Sequence, residues 1–354
     1  MVRILILGTG SMAVNHAESF RAAPGASVVA AIETDATRRE AFGKQFGITN
    51  LFADIESAIA WGEFDAVANV TPDPVHYPTT MRLLAAGKHV FCEKPLATDY
   101  PLALEMAETA EAKGLINMVN FTYRNSPALQ KARELVVAGA IGDVRHFEAS
   151  YLQSWLVGKQ WGDWRTESRW LWRLSEEHGS KGVLGDVGVH IVDFATYGAD
   201  SAVANVDSRL RTFHKAEGDR IGDYKLDAND SVVMTAELAN GALGTITATR
   251  FATGHANDLT LRLFGTAGAI EVKTDGKASS LRSCTGADID TQVWKDIPCP
   301  PVPTTYERFV QACNTGVNGD PSFRRAAEVQ RVLDLCFAQE AARALNAASP
   351  ATAG

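Results

Sequence analysis

The first third of the chain alternates short apolar runs with segments of helical periodicity that end at a glycine. Continuous apolar runs suit strands buried on both faces of a sheet, and a glycine after a helical segment suits a C-cap. Strands that alternate with helices predict a doubly wound parallel sheet with right-handed crossovers. The predicted strands cover 2–8, 28–32, 65–70, 89–92 and 115–121, and the predicted helices end near Arg21, Phe46, Ala86 and Lys113.

The rest of the chain changes to an apolar alternation of period two. In the segment 231–238, four apolar side chains share one face, and 259–263 repeats the pattern. This period predicts an antiparallel sheet with one buried face. Helices are predicted over 127–138 and 323–346, and residues 347–354 (AASPATAG) are predicted to be disordered. The pattern changes near residues 121–125, so we place a domain boundary between residues 121 and 122.

Length, charge and cysteine content narrow the class of protein. A chain of 354 residues has room for two domains. A net charge of −8 argues against a nucleic-acid or membrane-surface partner. The five cysteines are scattered without a CxxC pair, which indicates reduced thiols and no disulfide framework or zinc site. The sequence shows no signal peptide and no apolar stretch of membrane-spanning length, so we expect a soluble, cytoplasmic protein.

A dinucleotide-binding motif follows the first predicted strand. LILGTGSMA places Gly8, Gly10 and Ala13 in a G-x-G-x-x-A pattern that opens a helix. Such glycines allow a tight turn and let a pyrophosphate approach the N–H groups at the helix start, where Ser11 and Met12 lie. The alternative is a glycine-rich turn that binds no ligand, which the strand-to-helix context disfavours.

Glu33 indicates which dinucleotide is bound. It ends the second predicted strand about 20 residues after Ala13, where the acid that binds the ribose belongs. Its carboxylate should accept hydrogen bonds from the ribose hydroxyls and repel a 2′-phosphate, so NAD is favoured over NADP. NADP remains the alternative, because Arg38 or Arg39 could reach a phosphate.

The stretch VFCEKPLA places charged residues where a buried strand ends. Burying Glu93 and Lys94 would be costly unless they have partners or a function. The carboxyl ends of parallel strands in an open α/β sheet are where ligands bind, so we interpret this pair as functional. We expect Pro95 to fix the turn that aims Lys94, through a cis peptide bond.

Four motifs together resemble one family. VTPDPVH, CEKPLA, NFTYRNSPA and LGDVGVHIVD follow the glycine-rich start in this order, and the pattern is similar to the Gfo/Idh/MocA oxidoreductase family from Arg3 to about Leu345. The resemblance implies an α/β protein with an N-terminal Rossmann NAD(P)-binding domain (1–121) and a C-terminal α/β domain (122–354) for substrate and oligomerisation. The second domain would carry a large, mostly antiparallel open sheet, through which a homodimer or homotetramer forms. The family's G-G-G before the aspartate reads GVLGD here.

The resemblance also assigns roles to individual residues. Lys94 stands at the lysine of the family's E-K-P motif, and Asp186 and His190 stand at the aspartate and histidine of D-x-G-x-H, as the catalytic set. Trp172 and Arg173 resemble a WR dipeptide that precedes the catalytic motif, which suggests substrate contacts together with Arg124 and Asp186. The residues implied to line the cofactor, besides Lys94, are Thr71, Pro72, His76, Glu93 and Asn120.

This residue set suits the oxidation of an alcohol. Asp186 and His190 are spaced i, i+4, so on a helix they point from one face. His190 titrates near neutral pH and can take the hydroxyl proton, while Lys94 can stabilise the developing alkoxide. A lone buried histidine is more often a core residue than a catalyst. The presence of Asp186 and Lys94 makes a catalytic role for His190 the favoured interpretation. We expect Asp193 to orient or cap, and we expect no metal, because two ligands on one helix need a third.

Five of the seven tryptophans (Trp155, Trp161, Trp164, Trp170 and Trp172) precede the D-x-G-x-H motif. They suit either stacking on sugar faces or a subunit interface, and the sequence leaves both open. We predict an NAD-dependent dehydrogenase that oxidises a secondary hydroxyl of a small sugar, anhydrosugar or cyclic polyol, nearest to a levoglucosan- or inositol-type branch. The alternatives are an NAD-dependent glycosidase of the same fold and a non-catalytic NAD-binding regulator.

Overall fold

The computed structural model describes residues 1–348 and divides them into two compact units. The first unit joins residues 1–122 to residues 303–331. The second joins residues 123–302 to the described residues from Val332 onward. The predicted second domain therefore differs from the structure over 303–331, which packs with the N-terminal part of the chain. Within residues 1–348, no helix has both the length and the apolar composition needed to cross a membrane.

The first stretch of the chain folds as alternating strands and helices, as predicted. Its strands are β1 (Val2–Leu7), β2 (Ala26–Ile32), β3 (Asn50–Phe52), β4 (Ala66–Asn69), β5 (His89–Cys92) and β6 (Asn117–Val119). Its helices are α1 (Ser11–Ala22), α2 (Ala36–Phe46), α3 (Ile55–Trp61), α4 (Asp73–Ala85) and α5 (Tyr100–Ala112). The sequence pattern missed β3 and α3, because β3 has three residues and none of them is fully buried.

These strands form a parallel sheet whose order creates a ligand-binding crevice. Over the described residues the order is β3-β2-β1-β4-β5-β6. The chain moves outward in one direction from β1 to β3 and in the other from β4 to β6, so β1 and β4 mark the topological switch point. Open α/β sheets bind ligands at the carboxyl ends of the strands at such a point. The turns after β1, β4 and β5 therefore lie where a dinucleotide site belongs.

Short polar side chains and glycines set the ends of these helices. The carboxylates of Asp35, Asp54 and Asp99 accept hydrogen bonds from N–H groups in the first turns of α2, α3 and α5. Such N-caps satisfy backbone donors that the helix itself leaves unpaired. Gly47 ends α2 in the left-handed conformation, at φ +61°, as the sequence predicted.

The second unit contains a large, mostly antiparallel sheet. The strands after β6 are β7 (Val144–Leu152), β8 (Val203–Arg211), β9 (Arg220–Ile221), β10 (Tyr224–Lys225), β11 (Ser231–Leu238), β12 (Leu243–Thr249), β13 (Asp258–Gly265), β14 (Gly268–Thr274), β15 (Ser279–Thr285) and β16 (Lys295–Asp296). The helices are α6 (Pro127–Val137), α7 (Ser168–Leu171), α8 (Val189–Gly198) and α9 (Asp288–Thr291). In the described chain the large sheet has the order β16-β15-β14-β13-β7-β12-β11-β8, and its pairs are antiparallel except β7 with β12. The predicted fold class is confirmed.

The predicted period of two matches the burial along these strands. In β11, Val232, Met234, Ala236 and Leu238 are buried, and the same alternation buries the leucines of β13. Helices α6 and α8 pack on this apolar face. The opposite face exposes side chains such as Val233, which is 53% exposed.

The chain ends with α10 (Thr305–Thr315) and α11 (Phe323–Ala348). Helix α10 completes the core of the first unit: Tyr306 packs against Phe20 of α1 and Phe91 of β5, with ring centroids 5.0 Å apart in both pairs. Phe309 joins the same cluster. This aromatic packing explains why 303–331 belongs to the first unit. The predicted disordered tail, 347–354, begins within α11, and its residues after Ala348 lie outside the described part.

Candidate active site

The turn between β1 and α1 has the shape that a pyrophosphate needs. Gly8 adopts φ +88°, and a Cβ atom there would lie 2.9 Å from the Val70 carbonyl oxygen, so only glycine fits. At Gly10, by contrast, a Cβ atom would meet no described atom within 4 Å. Gly10 is the N-cap of α1, and among the described residues no side chain caps that helix. Its first N–H groups, including those of the exposed Ser11 and Met12, can therefore bind a phosphate. The turn fits the dinucleotide that its sequence predicts.

Glu33 carries a firmly held negative charge at the end of β2. Its carboxylate accepts hydrogen bonds from the Thr9 N–H at 3.1 Å, the Asp35 N–H at 3.1 Å and the Arg38 guanidinium at 2.9 Å. Burial opposes ionisation, but these hydrogen bonds outweigh it and lower the pKa of Glu33 to about 2. Arg39 donates to the Glu33 carbonyl oxygen at 2.6 Å. Arg38 thus pairs with the carboxylate and Arg39 with the backbone of Glu33, and the low pKa of the carboxyl group keeps it ionised at neutral pH.

His76 links the loops that follow β4 and β5. The ring is fully buried, with Nε2 lying 2.7 Å from the Thr71 carbonyl oxygen and Nδ1 lying 2.8 Å from the Pro95 carbonyl oxygen. His76 thus positions these loops, and its predicted cofactor contact stays a prediction. Thr71 and Pro72 lie on the loop after β4, where Pro72 is exposed and precedes α4. The Lys94–Pro95 peptide bond is cis, as predicted.

Glu93 points into the interior of the first unit. Its carboxylate accepts a hydrogen bond from Asn120 Nδ2 at 2.7 Å and lies 2.6 Å from His16 Nε2. Burial raises its pKa, but the contact with His16 and the other polar contacts dominate and lower the pKa of Glu93 to about 2. Glu93 and the buried Asn120 thus fix the end of β5, and the cofactor contacts predicted for them stay predictions. Lys94, next in the chain, donates its backbone N–H to Glu93 Oε2 at 3.0 Å.

The sequence analysis missed His16. It lies on α1, fully buried, on the face that also carries Ala13, Ala17 and Phe20. A histidine at an i, i+3, i+4 position of an otherwise apolar helix face is a signal for a buried polar partner. The sequence alone does not say that the partner is Glu93, which lies 77 positions further along the chain.

In the second unit, Asp186 and His190 lie on different helical geometries. Leu184–Gly188 forms a π-helical turn, in which the Val189 N–H donates to the Leu184 carbonyl oxygen, and His190 follows on α8. The predicted single helix face is therefore corrected to a π-turn followed by an α-helix. π-turns of this kind occur frequently at functional sites.

The residues before the π-turn are anchored by Asn229. Gly182 adopts φ +65°, and a Cβ atom there would lie 2.3 Å from the Asn229 side chain. Asn229 accepts the Val183 N–H on its carbonyl oxygen at 2.7 Å and the Leu184 N–H on its side-chain oxygen at 3.0 Å. The GVLGD variant of the motif thus keeps the glycine that this close approach requires.

Asp186 is partly exposed and lies between two arginines. Its Oδ2 accepts a hydrogen bond from Arg250 Nη2 at 3.1 Å and lies 3.8 Å from Arg173 Nε. The structure thus brings together two residues that the sequence assigned to the substrate, Asp186 and Arg173. Arg250, which the sequence analysis did not select, is fully buried.

His190 packs against Tyr123, which belongs to a hydrogen-bonded network of hydroxyl and amide side chains. The Tyr123 ring lies edge-on to the His190 ring, with centroids 5.1 Å apart. Burial raises the pKa of Tyr123, and its hydroxyl lies 2.5 Å from that of Tyr151 and accepts from Asn257 Nδ2 at 2.7 Å. Gln153 donates to Asn257 Oδ1 at 3.0 Å. This polar network was not predicted, because its members come from β7 and from separate loops.

Arg124 is a core residue. It is fully buried, its Nε and Nη2 atoms bond both oxygens of Asp193 at 2.6 and 2.7 Å, and its guanidinium stacks on Tyr197 at 3.5 Å. Arg124 thus has its partner in the core of the second unit, and the substrate contact predicted for it stays a prediction. Asp193 orients this arginine, which agrees with its expected role.

Four of the five clustered tryptophans build a small apolar core. Trp155 and Trp164 are buried, and Trp161 and Trp170 pack against them partly buried. Trp172 differs: it is 41% exposed, and the Arg173 guanidinium lies 4.6 Å from its ring centroid. Among the five, the structure leaves Trp172 as the candidate for stacking on a ligand. Across residues 1–348, no cluster of three or more His, Cys, Asp or Glu side chains is arranged to hold a metal ion.

A doubly wound sheet, an open glycine turn at its switch point and an ionised Glu33 define a dinucleotide-binding protein. Residues 2–121 match the model of the oxidoreductase family with an NAD-binding Rossmann fold, and residues 129–271 match the GFO/IDH/MocA C-terminal domain. The chain belongs to the Gfo/Idh/MocA oxidoreductase family, as the sequence motifs indicated.

Its relatives include sugar dehydrogenases. The chain is 32% identical over 240 residues to levoglucosan dehydrogenase of Pseudarthrobacter phenanthrenivorans, covering 64% of this chain and 60% of that protein. The matches span 48% to 63% of the length of the first curated relatives. Among solved structures, an oxidoreductase domain protein from Kribbella flavida matches with a TM-score of 0.84 at 30% identity, and covers 97% of both chains. Levoglucosan dehydrogenase in complex with NADH and L-sorbose matches with a TM-score of 0.83 at 26% identity, over 96% of this chain and 97% of that one.

Proposed function

We propose that the protein is an NAD-dependent dehydrogenase that oxidises a secondary hydroxyl of a small sugar, anhydrosugar or cyclic polyol. The observation that carries this proposal is the hydrogen-bonded network of Tyr123, Tyr151, Gln153 and Asn257, in which the Tyr123 ring packs edge-on against His190. The hydroxyl and amide groups of this network match the donors and acceptors of a polyhydroxylated ring. The likeness to levoglucosan dehydrogenase supports the same substrate class.

The cofactor would be held by residues of the first unit. Gly8, Gly10, Ser11 and Met12 would bind the pyrophosphate through the start of α1, and Glu33 would accept the ribose hydroxyls. Thr71, Pro72 and Lys94, on the loops after β4 and β5, would line the rest of the site. Bound NAD supplies the hydride acceptor. Glu33 would repel the additional phosphate of NADP.

Three residues would carry the chemistry on the alcohol. His190 takes the hydroxyl proton as the C–H hydrogen leaves as hydride, so that the alcohol becomes a ketone. Lys94 stabilises the negative charge that develops on the oxygen. Asp186 accepts a hydrogen bond from a neighbouring substrate hydroxyl and so orients the ring. Trp172 and Arg173 are candidates for contacts with the rest of the sugar.

A substrate panel tests this proposal. Sugars, anhydrosugars including levoglucosan, and inositols are incubated with NAD or NADP, and formation of the reduced nicotinamide is followed by absorbance. On the best substrate, His190→Ala should lower kcat by about 10²–10⁴-fold, and Lys94→Ala by about 10²–10³-fold. Lys113→Ala and His214→Ala, which change exposed residues of the same types in the same units, should keep wild-type turnover.

The panel also separates the alternatives. Release of an aglycone from a glycoside without accumulation of NADH would replace the dehydrogenase by a glycosidase. Tight NAD binding with no turnover of any compound would favour a regulator. Full turnover by a folded His190→Ala variant would overturn the role of His190 alone.

A further inference from the structure

A fully buried arginine lies directly behind Asp186. Arg250 follows β12, and its backbone N–H donates to the Asp230 carbonyl oxygen at 3.1 Å. Its guanidinium donates from Nη2 to Asp186 Oδ2 and from Nη1 to the Arg173 carbonyl oxygen, both at 3.1 Å. The group also stacks on Trp155, with 5.0 Å from its Cζ to the ring centroid. Two donors and one aromatic face thus fix the guanidinium plane.

Holding this charge in the interior requires carboxylates. Burial lowers the pKa of Arg250, and the negative charges of Asp186 and Asp230 oppose that effect. Asp230, however, already has a cation: Lys215 Nζ lies 2.6 Å from its Oδ2, and the two side chains are 1% and 0% exposed. The hydrogen bond of Arg250 to a carboxylate goes to Asp186.

Resting on the function proposed above, we propose that Arg250 is a positioning residue. It fixes the Asp186 carboxylate on the π-turn and keeps it ionised, so that Asp186 can accept a hydrogen bond from a substrate hydroxyl. An ion pair between a planar guanidinium and a carboxylate constrains direction as well as charge. Arg250 lies inside the unit and acts through Asp186, not by touching the substrate.

Other charged and titratable groups also act on this pair. Arg173 approaches Asp186 from the more exposed side at 3.8 Å, and His190 follows on α8. Burial raises the pKa values of Tyr123 and Tyr151, and the negative charge of Asp186 raises them further. Asp230 and Lys215 lie on the far side of Arg250. Of these groups, Arg250 is the fully buried cation bonded to Asp186, so its replacement changes the charge balance most directly.

A double-mutant cycle tests the proposal. Arg250→Lys and Arg250→Met are made alone and combined with Asp186→Asn, and kcat, KM and NAD affinity are measured on the best substrate. Arg250→Lys keeps a buried cation, so this variant should fold even if Arg250→Met does not. A lysine cannot, however, donate to Asp186 and to the Arg173 carbonyl oxygen in the geometry of the guanidinium group. We expect Arg250→Lys to lower kcat by about 10²-fold with unchanged NAD affinity. In the Asp186→Asn background the same change should cost less than about threefold, because the two residues act as a unit.

The pH profile gives a readout that a purely structural role would not move. Without the adjacent cation, the Asp186 carboxylate is protonated more easily. In the reverse reaction, reduction of the ketone by NADH, His190 must be protonated, so the acidic limb of the kcat/KM profile reports the ionisation of Asp186. For Arg250→Met this limb should move up by about one pH unit or more. Arg262→Lys, on β13 and paired with Glu148 and Glu271, is the control and should leave the profile unchanged.

The outcomes separate this proposal from the proposed function. A wild-type protein that oxidises no compound overturns both. An active wild type in which the Arg250→Lys and Asp186→Asn effects simply add, or in which the acidic limb stays fixed, overturns the role of Arg250 alone. Non-additive effects with a shifted limb support it.

Discussion

Glu33 keeps a negative charge in a fixed position at the end of β2. Its pKa of about 2 means that the group remains ionised at every pH at which the protein would be assayed. Thr9, Asp35 and Arg38 hold it in one orientation at the end of β2. A 2′-phosphate placed beside it would meet a fixed negative charge, while ribose hydroxyls would find an acceptor.

We predict that Glu33→Ala lowers the preference for NAD over NADP. At about 4 Å the repulsion removed is about 1–4 kcal/mol, depending on the dielectric environment, so the ratio of kcat/KM values should fall by about tenfold or more. Arg38 also loses its partner and becomes able to bind the phosphate. Steady-state kinetics with both cofactors measures the ratio, and Glu40→Gln, on the exposed side of α2, is the control. A wild-type enzyme that prefers NADP would contradict this account of Glu33.

Single residues also show which features of the site the sequence could not predict. The E-K-P motif located Glu93 and Lys94 at a strand end, and the cis bond before Pro95 followed from it. The direction of each side chain did not follow: Glu93 points inward to His16 and Asn120, and Arg124 points inward to Asp193. A motif identifies positions, but the partner of a charged side chain is decided by residues distant in the chain.

Among the elements, the turn from β1 to α1 contains two glycines that differ in backbone conformation and in surroundings. Gly8 needs a positive φ and lies against the Val70 carbonyl, whereas Gly10 has an ordinary φ of −68° and open space around its missing side chain. Glycine is therefore needed at these two positions for different reasons. The fold requires glycine at position 8, and we propose that a bound pyrophosphate requires it at position 10.

We predict opposite outcomes for alanine at these two positions. Gly8→Ala should destabilise the protein by about 1–3 kcal/mol through backbone strain, with a further cost from the Val70 contact. Gly10→Ala should change stability by less than about 0.5 kcal/mol but weaken NADH binding by about tenfold or more, because the methyl group occupies the path of the pyrophosphate. Thermal unfolding without cofactor and a fluorescence titration with NADH measure the two effects. A Gly10→Ala variant that binds NADH like the wild type would show that no pyrophosphate approaches there.

The predicted elements were accurate where the hydrophobic period was long. Strands β1, β11 and β13 and helices α2 and α5 lie within a few residues of their predicted bounds. The three residues of β3 are too few to establish a period, and the π-turn at Asp186 shares its sequence pattern with an α-helix. The π-turn is distinguished by a backbone hydrogen bond between residues five positions apart, where an α-helix has one between residues four positions apart.

At the scale of the whole molecule, segments that are far apart in the sequence belong to the same compact unit. The change of pattern near residue 121 was visible, and so was the family resemblance of both parts. The return of residues 303–331 to the first unit was not, because an amphipathic helix such as α10 does not indicate which apolar surface it covers. Tyr306 and Phe309 show the answer through their contacts with Phe20 and Phe91.

We predict that Phe309→Ala destabilises the N-terminal unit selectively. Removing a fully buried phenylalanine costs about 3–5 kcal/mol, and this cost falls on the core that Phe309 shares with α1 and β5. Hydrogen exchange followed by mass spectrometry should show lost protection in β1, α1 and β5, with β7 and β13 protected as in the wild type. Phe147→Ala, equally buried on β7, should give the reverse pattern. Equal loss of protection in both units by each variant would mean that the two cores do not unfold separately.

The position of α10 also has a consequence for how the protein is made. A ribosome completes residues 1–122 well before it reaches residue 303, and the intervening 180 residues belong to the other unit. At about 5–20 residues per second, the aromatic surface of Phe20 and Phe91 waits about 10–40 s for the helix that covers it. The nascent Rossmann half therefore leaves the exit tunnel with an open hydrophobic face, which a chaperone can protect until α10 is synthesised.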